Sequence, residues 1–184
     1  MKHLDGWGTK ARLRTRFSTG CLSFPTVLAM MPGMSKETRR PRIIAVANQK
    51  GGVGKTTTTI NLGASMADEG RNVLIVDLDP QANATTGVGV NSRDLEQSIY
   101  DVILKQASAA DVRCSTDIPN LDLLPSSLAL AGAEIELVAA FSREYRLERA
   151  LAEIVDDYDI VLIDCPPALG LLTINALVVA REVL

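Results

Sequence analysis

The stretch that decides the fold is RIIAVANQKGGVGKTTTT, which occupies residues 42–59. It opens with a short apolar run at residues 43–47, which predicts a strand buried on both faces of a parallel sheet. The glycine-rich segment that follows can turn tightly and present backbone N–H groups to an anion. Residues 57–67 then have the pattern of a helix, whose N-terminus would bring a partial positive charge to the same anion.

The side chains of this segment are those that the phosphates of a nucleotide require. Lys55 can reach the β- and γ-phosphates, and the hydroxyl of Thr56 can bind Mg²⁺. A strand, a glycine-rich turn, this lysine and a helix in succession predict a P-loop that binds a nucleotide. The candidate nucleotide-binding residues are Gly51, Gly52, Val53, Gly54, Lys55, Thr56 and Thr57.

Two later strands are predicted to end in carboxylates. VLIVDLDPQ at residues 73–81 places Asp77 and Asp79 after a run of apolar residues, and IVLIDCPP at residues 160–167 places Asp164 in the same way. The carboxyl ends of parallel strands meet at one edge of a sheet, where α/β folds bind their ligands. Asp164 has the arrangement of a Walker B carboxylate, which reaches Mg²⁺ in nucleotide sites.

One departure from the usual P-loop pattern is informative. The pattern has a glycine five residues before Gly54, whereas this chain has Gln49 there and a second lysine, Lys50, next to it. KGGVGKTT with this extra lysine resembles the deviant Walker A box of the ParA/MinD family of ATPases. VDLDPQAN at residues 76–83 resembles the second motif of that family, and CPPALGLLTINAL at residues 165–177 resembles its ParA-type partitioning branch.

The resemblance covers residues 42–184 and implies an α/β P-loop NTPase fold, a mainly parallel sheet flanked by helices on both faces and truncated at its carboxyl end. It implies ATP and Mg²⁺ as cofactors. Asp79 matches the position that helps to hold the attacking water, and Lys50 matches the lysine that reaches the nucleotide of the partner subunit. The candidate catalytic residues are Lys50, Lys55 and Asp79, and the candidate metal-organising residues are Thr56, Asp77 and Asp164.

The function that the resemblance implies is that of a partitioning ATPase, a nucleotide-dependent dimer switch in chromosome or plasmid segregation. The implied partners are a second copy of the chain, a ParB-like centromere-binding protein and non-specific DNA, with no membrane. The implied location is the cytoplasm, on the nucleoid. Residues 43–184 carry a net charge of −10, and this charge disfavours contact with a phosphate backbone by this segment alone.

Three other functions remain open from the residues. A MinD-like ATPase at the cell-division site would need a terminal amphipathic helix, which the sequence lacks. An electron-transfer ATPase similar to the nitrogenase iron protein would need paired cysteines, whereas Cys21, Cys114 and Cys165 are far apart and are interpreted as reduced thiols. The last possibility is an inactive, truncated nucleotide-binding fragment.

The amino-terminal segment differs in composition from the rest of the chain. Residues 1–42 carry nine Lys and Arg against two Asp and Glu. We expect residues 1–41 to be a disordered or non-native extension, and residues 42–184 to be an incomplete ATPase domain. Met34 is the expected natural start, because MSKETRRPR places a few polar residues before the first strand. A targeting peptide is the less favoured interpretation, since Pro25 interrupts the apolar run.

The middle of the chain gives predictions of secondary structure. Residues 82–92 are predicted as a loop, and a helix is expected to begin near Asp94. A short strand is predicted at residues 121–124, followed by a helix capped by Ser126 or Ser127. Residues 142–158 are predicted as one amphipathic helix with Tyr145, Leu147, Leu151, Ile154 and Val155 inward, and with Arg143, Arg146 and Arg149 on a solvated, ion-paired face.

Overall fold

A computed structural model describes residues 40–184. It contains one six-stranded sheet in the order β3-β4-β2-β5-β1-β6. The strands are β1 (Arg42–Val46), β2 (Val73–Asp77), β3 (Cys114–Ser115), β4 (Leu121–Leu124), β5 (Ile160–Asp164) and β6 (Glu182–Val183). All neighbouring strands are parallel except β3 and β4, which are antiparallel. This confirms the predicted α/β fold with a mainly parallel sheet.

Helices cover both faces of the sheet. They are α1 (Lys55–Asp68), α2 (Asn83–Gly87), α3 (Ile99–Leu104), α4 (Ala109–Val112), α5 (Leu130–Val138), α6 (Arg146–Leu151) and α7 (Leu171–Val179). Short 3₁₀ helices precede and follow α6, at Arg143–Tyr145 and Val155–Asp157. No helix in the part of the chain that the structure describes is long and apolar enough to cross a membrane.

Side chains alternate in direction along each strand, so each face of the sheet has its own hydrophobic core. On β2, Val73 and Ile75 lie in the same core as Ala67 of α1, whereas Leu74 and Val76 lie in the core of the opposite face. This follows from the two-residue period of a strand, which turns successive side chains to opposite faces. The opposite face is covered by α3 to α7. Every residue of β2 and β5 is buried, as their continuous apolar runs predict.

The register of the parallel strands determines where the candidate site lies. The central strand β5 lies between β1 and β2, with Asp164 level with Val46 on one side and with Asp77 on the other. The carboxyl ends of all three strands therefore meet at the edge from which the glycine loop leaves β1. The predicted strands at residues 43–47, 73–76, 121–124 and 160–163 are confirmed within one residue at each end.

Three predictions for the middle of the chain are wrong. The predicted loop at residues 82–92 is wrong in its first half, because Asn83–Gly87 forms the short helix α2. The helix expected near Asp94 begins at Ile99 instead, where the Asp101 carboxylate accepts a hydrogen bond from the Ser98 N–H at 2.9 Å. The expected cap by Ser126 or Ser127 is also wrong, since α5 begins at Leu130 and has no side-chain cap.

The single long helix predicted for residues 142–158 is wrong as well. It is divided into α6 and the two 3₁₀ helices, and Tyr145, which was expected inside, is half exposed. The buried Asn175 of α7 accepts a hydrogen bond from the Leu147 N–H and donates one to the Arg143 carbonyl. These bonds satisfy a backbone N–H and a backbone carbonyl at the start of α6. The position of α7 therefore determines the backbone conformation at the start of α6. Leu147, Leu151 and Ile154 are buried, as predicted.

Candidate nucleotide-binding site

The glycine loop connects β1 to α1 at the carboxyl edge of the sheet. Gly52 has a φ of +69° and Gly54 a φ of +91°, a region in which side chains other than glycine are strained. A Cβ built on either residue would meet no atom within 4 Å. Backbone conformation therefore explains these two glycines, and the space above them is open to a ligand.

Lys55 and Thr56 form the first turn of α1, directly after the loop. The hydroxyl of Thr56 donates a hydrogen bond of 2.7 Å to Oδ2 of Asp164, at the end of β5. The other carboxylate oxygen, Oδ1, accepts a 3.2 Å bond from the hydroxyl of Thr59, one turn further along α1. Thr56 and Asp164 come from distant parts of the sequence, and the fold brings them into contact as the motifs predict.

Asp77 lies at the end of β2, level with Asp164. Its Oδ2 accepts hydrogen bonds from the Thr85 N–H at 2.8 Å and from the Thr85 hydroxyl at 2.7 Å. Its Oδ1 accepts a 3.1 Å bond from the Asp79 N–H. The Asp77 carboxylate thus holds the start of α2 and the loop after β2 against the sheet.

Asp79 follows two residues later and is almost completely buried. Its Oδ1 accepts a hydrogen bond from the Gln81 N–H at 2.9 Å, and its carbonyl accepts one from the Ser126 hydroxyl at 2.7 Å. Ser126 follows β4, so the loop that carries Asp79 is tied to a neighbouring strand. This arrangement holds the aspartate in place at the edge of the sheet.

The remaining predicted residues lie on the outside of the loop and helix. Lys50 is exposed, and its N–H donates to the Asn48 side chain at 3.0 Å. Gly51 and Thr57 are exposed, and Val53 retains 45% of its accessible surface. The side chains of Lys50, Val53 and Thr57 are therefore exposed to solvent.

Burial dominates the electrostatics of the two strand-end carboxylates. It raises the pKa of Asp77 to about 7, although hydrogen bonds from Thr85 and Asp79 act in the opposite direction. Burial also raises the pKa of Asp164, against hydrogen bonds from Thr56 and Thr59 and the charge of Lys55. A cation close to these carboxylates would favour their charged forms.

The residues present fit a magnesium ion that is held mainly by a nucleotide. No group of three or more His, Cys, Asp or Glu side chains able to hold a metal exists within residues 40–184. Magnesium commonly takes only one or two protein ligands and obtains the rest from phosphates and water. The Thr56 hydroxyl and the Asp164 carboxylate are hard oxygen donors next to the open glycine loop, so they could hold the ion there.

Comparisons with known proteins agree with this geometry. The chain is 55% identical over 142 residues to the sporulation initiation inhibitor protein Soj of Bacillus subtilis, covering 77% of this chain and 56% of Soj. It is 48% identical over 143 residues to the chromosome partitioning protein ParA of Myxococcus xanthus, covering 78% and 50% of the two chains. Residues 41–184 match the AAA_31 family, described as an AAA domain. The chain belongs to the ParA/MinD family.

A solved structure supports the ParA/MinD assignment of the fold. The crystal structure named as cobyrinic acid a,c-diamide synthase from Mycobacterium smegmatis, with bound ADP and magnesium, has a TM-score of 0.75 and 47% identity to this chain. The match covers 78% of this chain and 58% of that one. The chain spans about half the length of the curated ParA and Soj relatives.

Two residues that contact the carboxylates of this ParA/MinD site were not predicted from the sequence. Thr59 lies within the TTTT run, three residues after Thr56 and so on the same side of the helix, a spacing that could have identified it. No sequence pattern identifies Thr85, because its contact with Asp77 depends on α2, and the sequence predicts a loop there. Cys165 is buried, as expected for a structural thiol, and burial raises its pKa to about 12.

Proposed function

We propose that this chain binds ATP with Mg²⁺ and hydrolyses it, as part of a ParA-type partitioning protein. The observation that carries the proposal is the 2.7 Å hydrogen bond from Thr56 to Asp164 beside the open glycine loop. It joins the helix that follows the loop to the carboxylate at the end of the central strand. The similarity to the partitioning relatives Soj and ParA, and to a crystal structure with bound ADP and magnesium, agrees with this interpretation.

Each residue has a separate role in the proposal. The loop N–H groups and Lys55 hold and neutralise the phosphates, while Thr56 and Asp164 hold Mg²⁺. The ion, when bound, neutralises charge that develops on the phosphates. In this proposal Asp77 positions the adjoining loop instead of the ion, for which the sequence suggested it, because both of its carboxylate oxygens accept hydrogen bonds from Thr85 or Asp79. Asp79 orients the attacking water. Residues 42–184 constitute the ATPase domain in this proposal.

We infer a dimer from the outward position of Lys50. Its exposed side chain forms no ion pair within the part of the chain that the structure describes. Val53 in the loop after β1 and Leu169 in the segment after the neighbouring strand β5 expose apolar surface, and contact with a second copy would bury that surface. Lys50 of one chain would then reach the phosphates bound by the other.

The role in segregation includes DNA and a centromere-binding partner. Residues 43–184 are net negative, so we propose that the DNA-binding surface of the ParA-type protein lies outside them. A ParB-like protein would stimulate hydrolysis in the presence of DNA. Retention of salt-sensitive DNA binding by residues 42–184 alone would contradict this placement.

Steady-state phosphate release with ATP and Mg²⁺ tests the proposed reaction. Asp79→Asn should still bind ATP but release phosphate at least about tenfold more slowly, since its carboxylate no longer orients the water. Lys105→Ala, which alters an exposed lysine that pairs with Asp101 at 2.9 Å on α3, serves as the control and should hydrolyse at the wild-type rate. Equal rates for Asp79→Asn and wild type would contradict the assigned role.

A further inference from the structure

A second cleft lies on the face of the sheet opposite to α1. It has a volume of about 400 Å³ and lies between α6 and the segment that connects α3 to α4. Val102 and Ile103 provide apolar lining, and Gln106 and Ser108 provide polar lining. None of the residues assigned to the nucleotide site lines this cleft, so it is a separate feature, called here the α3–α6 cleft.

Two arginines on α6 give the α3–α6 cleft a positive wall. Arg146 and Arg149 both line it, and their spacing of three residues places them on one side of the helix. The Nε of Arg146 is buried and has no hydrogen-bond partner within residues 40–184. A buried donor on a charged group is unfavourable until it finds an acceptor.

These arginines do not form the ion-paired face expected from the sequence. Arg143 pairs with Glu144 at 3.0 Å, but neither Arg146 nor Arg149 forms an ion pair with an acidic residue in the region that the structure describes. The alternation of arginine and glutamate along the sequence was therefore misleading. Two guanidinium groups remain available on the wall of the cleft.

The α3–α6 cleft also has one acidic residue in its lining. Glu153, just after α6, lines it, and its carboxylate accepts a 2.8 Å hydrogen bond from the Ser108 hydroxyl. An anionic group is therefore favoured near the arginines and disfavoured near the glutamate. The volume lies within the usual range of small-molecule sites, about 300 to 1,000 Å³.

We propose that the α3–α6 cleft binds a small molecule through an oxyanion, either a carboxylate or a phosphate. Arg146 and Arg149 hold the oxyanion, because the planar guanidinium matches both groups with paired hydrogen bonds. The rest of the molecule is neutral or cationic where it passes Glu153.

The test is a titration of the full chain, labelled with ¹⁵N, with inorganic phosphate and separately with succinate at constant ionic strength. The amide signals of Gln106 and Ala107 should shift and saturate with at least one anion. Arg146→Gln should weaken that apparent affinity by about tenfold or more. Arg93→Gln, at an exposed arginine in the loop before α3, should leave it unchanged.

The glycine loop provides an internal comparison, because phosphate can also bind there. Its amides should titrate equally in wild type and Arg146→Gln, which separates the two sites. A response to phosphate alone identifies a phosphate ligand, and a response to succinate alone identifies a carboxylate ligand. No saturable shift at the cleft with either anion, or unchanged affinity in Arg146→Gln, would overturn the proposal. If Arg146→Gln does not fold, unchanged cleft affinity in Arg149→Gln would overturn it.

Discussion

At the scale of single residues, the side-chain carboxylate of Asp164 depends on one helix for both of its hydrogen bonds. The Thr56 hydroxyl donates a hydrogen bond to one carboxylate oxygen and the Thr59 hydroxyl donates to the other. The Thr59 hydroxyl also lies 3.1 Å from the Lys55 carbonyl, which shares its proton. The Asp164 carboxylate and Thr59 are both buried, so water cannot replace a lost donor there. Thr56 has the additional task of facing the nucleotide, whereas Thr59 acts through Asp164 and positions it.

Substitution of Thr59 by valine should isolate this positioning effect. Valine keeps the shape of the side chain but leaves one oxygen of a buried carboxylate without its donor, so the free energy of unfolding should fall by about 1 to 3 kcal/mol. Thr58→Val, at the exposed neighbouring position, should change it by less than about 0.5 kcal/mol. Urea denaturation of both variants measures the difference. Equal stabilities would show that the Thr59 hydroxyl contributes nothing to Asp164.

At the scale of elements, α1 lies close to the sheet because of a glycine. A Cβ on Gly63 would lie 3.0 Å from Cδ1 of Ile75 and 3.4 Å from Cδ1 of Leu162. Since both residues belong to central strands, little space exists for a larger side chain. The close approach holds the first turn of α1, and with it Thr56, within hydrogen-bond distance of Asp164.

Gly63→Leu should therefore destabilise the chain even though leucine favours helices. The overpacking cost of about 1 to 3 kcal/mol exceeds the gain in helix propensity of about 1 kcal/mol. Ser65→Leu, at an exposed position of the same helix, provides the matched control and should not be destabilised. Thermal unfolding of the two variants gives the comparison, and an unfolding midpoint for Gly63→Leu at or above that of wild type would contradict the packing argument.

The elements that could be predicted are those whose formation depends on their own residues. Continuous apolar runs predicted β1, β2, β4 and β5, and the motifs at their ends predicted Lys55, Thr56 and Asp164 as neighbours. The errors lie where distant hydrogen bonds set the boundaries, at α2 through Asp77 and at α6 through Asn175. Local patterns carry no information on such partners, so helix boundaries on the α3 to α7 face could not be predicted.

At the scale of the whole molecule, exposed apolar side chains are prominent on and around α5. Leu128, Ile135, Val138 and Phe141 are all more than half exposed. Since α5 follows β4, the segment that contains Leu128 leaves the same sheet edge as the glycine loop. Contact between two copies of the chain is one way to cover this apolar surface.

Lys50→Ala tests the proposed contact between copies. The variant should bind ATP as the wild type does, because Lys55 and the loop of its own chain are intact, but it should no longer dimerise with ATP. Light scattering with and without ATP, combined with binding measurements, separates the two effects. Lys105→Ala again serves as the lysine control. Unimpaired ATP-dependent dimerisation of Lys50→Ala would contradict the role of Lys50 in the partner's site.

The most direct test of the account is calorimetric titration of the chain with ATP in the presence of Mg²⁺. The glycine loop, Lys55 and the Thr56–Asp164 pair are proposed to form one phosphate site, so wild type should bind ATP with a one-to-one stoichiometry per chain. Lys55→Ala should remain folded and lose detectable binding, because the phosphates lose their principal neutralising charge. Binding of ATP by Lys55→Ala with wild-type affinity, or no binding by folded wild type, would contradict the account.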